Sequence, residues 1–230
     1  MRRPSLALAT ATALMALGLQ VTQAKGQQDI PAVAVMDFSA FMMGERGASV
    51  NLGKAISAML VTEFSGRDGM RVVERRQLND LIEEQSLSLS GRVDDAVAVE
   101  VGRLLGVQYV LLGQAMSIVD NLRIDIRAVD VETSEVVAVM KKTDETIQLL
   151  NVVVQLADEF GELLNLTPPS QRPQVEDVPV AATIALSRAL TWEDEGQVGQ
   201  AIEGYEAVLE IHPTHRDALR ALERLRGGAG

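Results

Sequence analysis

The stretch VQYVLLGQAMSIVDNLRIDIR, residues 107–127, decides the fold. Val107 to Val119 is rich in β formers, and Leu122, Ile124 and Ile126 then alternate with Arg123, Asp125 and Arg127. Only Asp120 and Asn121 separate these two runs, and Val136 to Met140 resumes the extended pattern after the turn-like residues 132–135. Alternation of apolar and charged residues over consecutive runs predicts an antiparallel sheet with one wet face. Leu149, Val153, Leu156, Phe160 and Leu163 follow at helical spacing, and that helix must cover the dry face.

Upstream, strand and helix periods alternate. Pro31 to Phe38 reads as a strand, and Leu52, Ile56, Met59, Leu60 and Phe64 as an amphipathic helix that stops at Gly66. Arg71 to Glu74 is a second strand, and Leu78, Leu81 and Ile82 start a helix that runs out near Ser90 and Gly91. Asp94 and Asp95 suit a helix first turn, Val97, Val101 and Leu104 supply its apolar stripe, and Gly106 ends it. The order β-α-β-α-α-β-β-β-α predicts an α/β fold, one mixed sheet with helices packed on it.

The 230 residues have room for one full core and something smaller. With 21 Lys+Arg against 32 Asp+Glu, the net charge of -11 argues against nucleic acid and anionic lipid as partners. The absence of cysteine excludes disulfides, thiolate metal sites, a cysteine nucleophile and a lipidated N-terminal cysteine. Residues 1–24 read as a signal peptide: Arg2 and Arg3, an apolar run from Leu6 to Leu19, and small residues at Thr22 and Ala24, with cleavage expected after Ala24. The mature chain would carry 19 - 32 = -13, and no later stretch has the length of an integral membrane span.

Four prolines between Leu166 and Pro179 predict a semi-rigid linker, residues 166–180. It divides an α/β domain at 25–165, expected to fold on its own, from a small all-α unit at 181–230.

Three runs, Arg71 to Gly91, Val101 to Gly113 and Ile126 to Val136, resemble the curli-secretion CsgG family over roughly residues 30–164. That envelope family also includes the periplasmic domain of a penicillin-binding-protein activator lipoprotein. The resemblance implies a periplasmic location, with peripheral association with the outer membrane left open. Channel-forming members insert membrane hairpins between the late strands, and here the two-residue connection at Asp120 and Asn121 leaves no room for one. The lipid-bearing cysteine is also missing. The chain therefore looks like the periplasmic module without pore or anchor.

In the C-terminal block, Ala189, Trp192, Gly196, Ala201, Tyr205 and Pro213 fall where a tetratricopeptide (TPR) unit has small, aromatic, turn, small, aromatic and breaker residues. The spacing predicts a helical hairpin. Leu219, Leu222 and Leu225 continue as a capping helix. One such unit cannot bury both its apolar faces, so one face must dock on its own domain, on another copy or on a partner.

Chemistry-bearing patterns are sparse. His212 and His215 flank Pro213 without a third ligand, so neither a metal nor any other cofactor is expected. Asp37, Asp120, Asp125 and Asp130 read as solvated acids or as cross-strand partners of Arg123 and Arg127. Nucleophile elbows and phosphate-binding glycine loops are absent. No catalytic residue is assigned. Candidate partner-binding residues are Phe41, Met42 and Met43, in what reads as a loop from Ser39 to Ala48, and Glu74 and Arg75 at a strand-to-helix junction. Local pairing of Glu74 and folding of the loop back onto the sheet are the alternatives.

These readings converge on a non-enzymatic periplasmic scaffold in envelope assembly, secretion or regulation of an envelope enzyme, with envelope proteins as partners and self-association expected. The alternative is a subunit of a CsgG-type secretion complex whose pore another protein supplies. An acid-dependent hydrolase, supported only by scattered carboxylates, is third.

Overall fold

In chain order the strands are β1 (Ala32–Val35), β2 (Ser39–Met43), β3 (Arg71–Val72), β4 (Tyr109–Ile118), β5 (Asn121–Asp130) and β6 (Val136–Glu145). The helices are α1 (Leu52–Ser65), α2 (Arg75–Glu84), α3 (Asp95–Leu105), α4 (Leu149–Leu163), α5 (Val180–Asp194), α6 (Val198–Ile211) and α7 (Arg216–Gly227). This computed structural model describes residues 30–43, 52–84, 94–118, 121–145, 148–166, 168–169 and 178–227. The leader with its cleavage point, the Ser90 and Gly91 boundary, Asp120 and most of the proline-rich stretch lie outside the described residues.

The sheet is mixed, in the order β3-β1-β4-β5-β6, with β2 also on β4. β1 runs parallel to β3 and β4, whereas β4, β5 and β6 are antiparallel neighbours. On β5, Leu122, Ile124 and Ile126 are buried and Arg123 is exposed, as the alternation predicts.

Residues 39–43 correct the sequence reading, because they form a strand rather than a loop. Val35 pairs with Leu111 and Ser39 with Gln114, so four steps on one strand match three on the other. The surplus residue at Met36 to Phe38 is a bulge that bends the chain and lets β2 resume along β4. The Phe38 ring is buried against Gly113, where a Cβ would overlap it. Gly113→Ala is therefore expected to cost about 1 to 3 kcal/mol through overpacking, read as a lower denaturant midpoint with an unchanged slope.

The two sheet faces carry separate cores. On one, Val33, Val35, Phe38, Leu111, Ile124 and Met140 pack with α1 and α4. On the other, Ala34, Met36, Val110, Leu112 and Val129 pack with α2 and α3. Asp94 caps α3 by accepting from the Ala96 amide, and Gly106 ends it in the left-handed region at φ 62°. The buried residues of α3 are Ala98, Val99, Val101, Gly102 and Leu105; of the expected stripe, Val101 is buried and Val97 packs partly buried against the same core, whereas Leu104 is exposed. A Cβ at Gly102 would press on Val110 and Val131, so the small residues set this contact.

Helix α1 is buried on every side: all residues from Leu52 to Phe64 except Lys54 are buried. Phe64 meets Phe160 of α4 at 5.5 Å between ring centroids. A helix apolar all round needs two covers, and the second is supplied by α5 and α7. Ala182, Leu186, Ala189, Leu190 and Tyr205 thus belong to the same core as Phe64 and Ile124. The open docking question is answered in cis.

Within the C-terminal helices, Ala189, Ala201 and Tyr205 are fully buried and Trp192 is half-buried. Gly196 turns the chain at φ 71°, and Pro213 lies in the turn before α7. Gly204, which the sequence reading passed over, sits so close to Ala189 and the Trp192 ring that a Cβ would crowd both. The Tyr205 hydroxyl donates to Glu193 at 2.5 Å; burial first, then this carboxylate, raises its pKa.

Candidate interaction surface and charge clasp

The predicted partner residues separate into two places. Phe41 is on β2, and its pairing with Met116 of β4 puts both side chains on one face of the sheet. The cross-strand row continues through Arg123 of β5 to Thr143 of β6. The next row runs Ser39, Gln114, Asp125, Lys141, and a third joins Leu112, Arg127 and Val139. Helix α3 covers this face only at the end where Val110, Leu112 and Val129 lie. Beyond it, Phe41 is 59%, Met116 41% and Val139 53% exposed.

Charge on this open face is arranged around Asp125. Arg123 Nε donates to both of its oxygens, at 3.0 and 3.1 Å, and Gln114 Nε2 to one of them at 3.1 Å. Burial opposes ionisation, but the hydrogen bonds from Arg123 and Gln114 and the charges of Arg123 and Lys141 together hold the Asp125 carboxyl below its usual range. The expected cross-strand pairing is corrected here: Arg123 sits two residues before Asp125 on the same strand, and Arg127 pairs with Asp95 of α3 at 3.0 Å. Asp130 caps its own turn, accepting from the amides of Glu132 and Thr133.

Arg75 is elsewhere, largely enclosed in a clasp between the sheet, α1, α2 and α5. Its Nε and Nη2 donate to Asp37 at 3.1 and 3.0 Å, and Nη1 and Nη2 to Asp194 at 2.9 and 2.6 Å. Lys54 of α1 donates to Asp194 at 2.6 Å, Asn79 of α2 to Asp194 at 2.8 Å, and Ser57 to Asp37 at 3.2 Å. Burial opposes the charge on Arg75, but the two carboxylates outweigh it and raise its pKa. Asp37 is likewise disfavoured by burial yet held below its usual range by Arg75, Lys54 and Ser57. With the Arg75 pKa raised and that of Asp37 lowered, neither of these two groups is poised for proton transfer near neutrality.

Arg75 is thus committed inside the molecule, while Glu74 is exposed at the start of α2. Met42 and Met43 lie on β2, and their side chains are outside the described residues. Lys54, Asn79 and Asp194 escaped the sequence reading. Asp194 did leave a signal: an acid at the C-terminal end of a helix opposes the macrodipole and needs a cation nearby. His212 and His215 lie with ring centroids 5.8 Å apart, and no group of three or more metal-ligating residues occurs among the described residues.

Residues 15–118 match the family model for the curli production assembly/transport component CsgG. The match ends before the third motif, Ile126 to Val136, on which the sequence resemblance also rested. Among solved structures, the chain is similar to the C-terminal domain of LpoB from Salmonella enterica, with 21% identity over 54% of this chain and 89% of that one at a TM-score of 0.43. It is also similar to lipoprotein GNA1162 from Neisseria meningitidis (13% identity, 58% of this chain and 98% of that one, TM-score 0.41). The PelC dodecamer from Paraburkholderia phytofirmans is similar at 18% identity over 58% of this chain and 88% of that one, with a TM-score of 0.35. No curated protein matches the chain. Among the described residues, no helix is long and apolar enough to cross a membrane.

Proposed function

We propose that the protein is a non-enzymatic periplasmic interaction protein serving envelope assembly, secretion or the regulation of an envelope enzyme, and that the open sheet face receives its partner. The observation that carries this is the exposed pair Phe41 and Met116 beside the Arg123–Asp125–Gln114 cluster, with Val139 exposed two rows further along the same face. Large exposed apolar side chains beside hydrogen-bonded polar groups have the make-up of an interface. The match of residues 15–118 to a family model described as a curli production assembly/transport component supports an envelope role. The clasp supports a binding rather than catalytic reading, since its carboxylates are fully engaged by cations.

The test is a double substitution, Phe41→Ser with Met116→Ser. Both side chains are exposed, so the melting temperature should hold, with stability changed by less than about 0.5 kcal/mol per site. Capture of the envelope proteins that co-purify with the wild type should fall at least about tenfold, the equivalent of losing one anchor contact of about 1.4 kcal/mol. Undiminished capture of the same proteins would remove the sheet face from the proposal. If the double variant instead loses oligomeric mass in light scattering, the face joins copies of this chain and the secretion-complex reading gains.

A further inference from the structure

Helix α7 is seated on α1 by its first turn. Arg216 pairs with Glu63 of α1, and Asp217 accepts a hydrogen bond from Thr62 of α1. Between these contacts His215 is 4% exposed, and neither ring nitrogen has a hydrogen-bond partner. Its carbonyl accepts from the Leu219 amide, so the ring sits at the N-terminus of α7, the positive end of the helix dipole.

The groups around the ring come from the preceding turn, from α7 and from α1. His212 lies edge-on at 5.8 Å between centroids, and Arg216 adds a positive charge. Asp217 is the carboxylate that favours an imidazolium, 3.8 Å from Nδ1, and it is already shared with Thr62; a smaller backbone contribution at His215 itself acts in the same direction. Glu63 is held by Arg216. A proton added here would create a buried cation facing a second histidine, an arginine and a helix N-terminus, with one partly engaged carboxylate to answer it.

We propose that His215 makes the α7–α1 contact a pH-sensitive latch, docked while the imidazole is neutral and loosened when it is protonated. Burial is the largest influence on the ring and lowers its pKa; Asp217 pulls the other way, His212 and Arg216 reinforce the lowering, and the net direction is down. The docked state therefore binds fewer protons than the open one. The contact keeps its full strength above the ordinary histidine value of about 6.5 and loses it as pH falls through that value.

Hydrogen exchange on the full mature chain, between pH 7.5 and 5.0 and corrected for intrinsic exchange, reads the latch directly. The opening constant of α7 amides should rise below pH 6.5 by up to about tenfold per pH unit, the limit for one linked proton. His215→Asn should flatten that rise, and His212→Asn should keep it. A flat wild-type profile, or an equal slope in His215→Asn, which would place the titration on Glu63 or Asp217, overturns the latch. Should His215→Asn fail to fold, an NMR titration of the wild-type His215 ring decides: a midpoint at or above the ordinary value also overturns it.

Discussion

Removing residues 180–230 is expected to abolish the cooperative thermal transition of what remains. The reason lies in α1. Ser57 of α1 reaches Asp37 of the bulged strand, whereas Lys54 reaches Asp194, Thr62 reaches Asp217 and Glu63 reaches Arg216. The helix thus has a sheet-facing side and an outward side, and helical spacing puts Ala58 and Val61 on the outward stripe with Lys54 and Thr62. Truncation exposes that stripe. It also strands Lys54 without Asp194 and Glu63 without Arg216, and removes Leu186, Ala189 and Leu190 from the shared core. Each large apolar side chain returned to water forfeits about 1.5 to 3 kcal/mol, and a domain of this size holds only about 5 to 15 kcal/mol in all. A few such losses consume the margin. A circular-dichroism melt of residues 25–179 beside residues 25–230 checks this. A sharp transition within a few degrees of the longer chain would restore the expectation of an independent N-terminal domain.

That expectation was reasonable from sequence, and the packing around α1 argues against it. Proline density at 166–179 signals a break in regular structure, but not whether the segment beyond it packs back. The hint lay in α1, where Ala55, Ala58 and Val61 fill the face opposite Ile56, Leu60 and Phe64. Positions apolar on every side imply two covers, and the sequence reading counted only the stripe facing the sheet.

Strands were legible for a plain reason: on β5 Leu122, Ile124 and Ile126 are buried and their neighbours are polar, so the two-residue period survives up to Arg127. β2 was not legible, because its pairing depends on a one-residue surplus at Met36 to Phe38 that only the partner strand's register exposes. On α3, large apolar residues drew attention while the contact was made by Ala98 and Gly102, whose small size lets the helix reach the sheet. Phe41 was found by its chemistry, an aromatic among turn residues. Met116, Arg123 and Val139 join it only through strand pairing, information that lies in no single stretch of sequence.

Replacing Arg75 by Ala should be the most damaging single change at a polar position. Arg75 is the shared donor between Asp37 and Asp194, and its own side chain is 13% exposed. Removing it leaves two carboxylates with Lys54 as their remaining cation, and Asp194 also faces the negative end of α5. Breaking a buried pair from one side costs about 3 to 5 kcal/mol. Asp37, however, keeps 36% of its side chain in water, which lowers the expectation to about 2 to 4 kcal/mol. Arg75→Lys should recover little, because an ammonium cannot serve both carboxylates with the paired donors of a guanidinium. Asp37 fixes the sign of the pH dependence. Its folded pKa lies below the ordinary 3.8, so its contribution is complete above that value and is lost as pH falls through the folded one. The gap between wild type and Arg75→Ala should accordingly be full at pH 7 and narrow below about pH 4. Urea denaturation of both proteins at the two pH values measures it. A loss under about 0.5 kcal/mol at pH 7, ordinary for an exposed surface site, would mean that the apolar contact between α1 and α5 holds the C-terminal helices without the clasp.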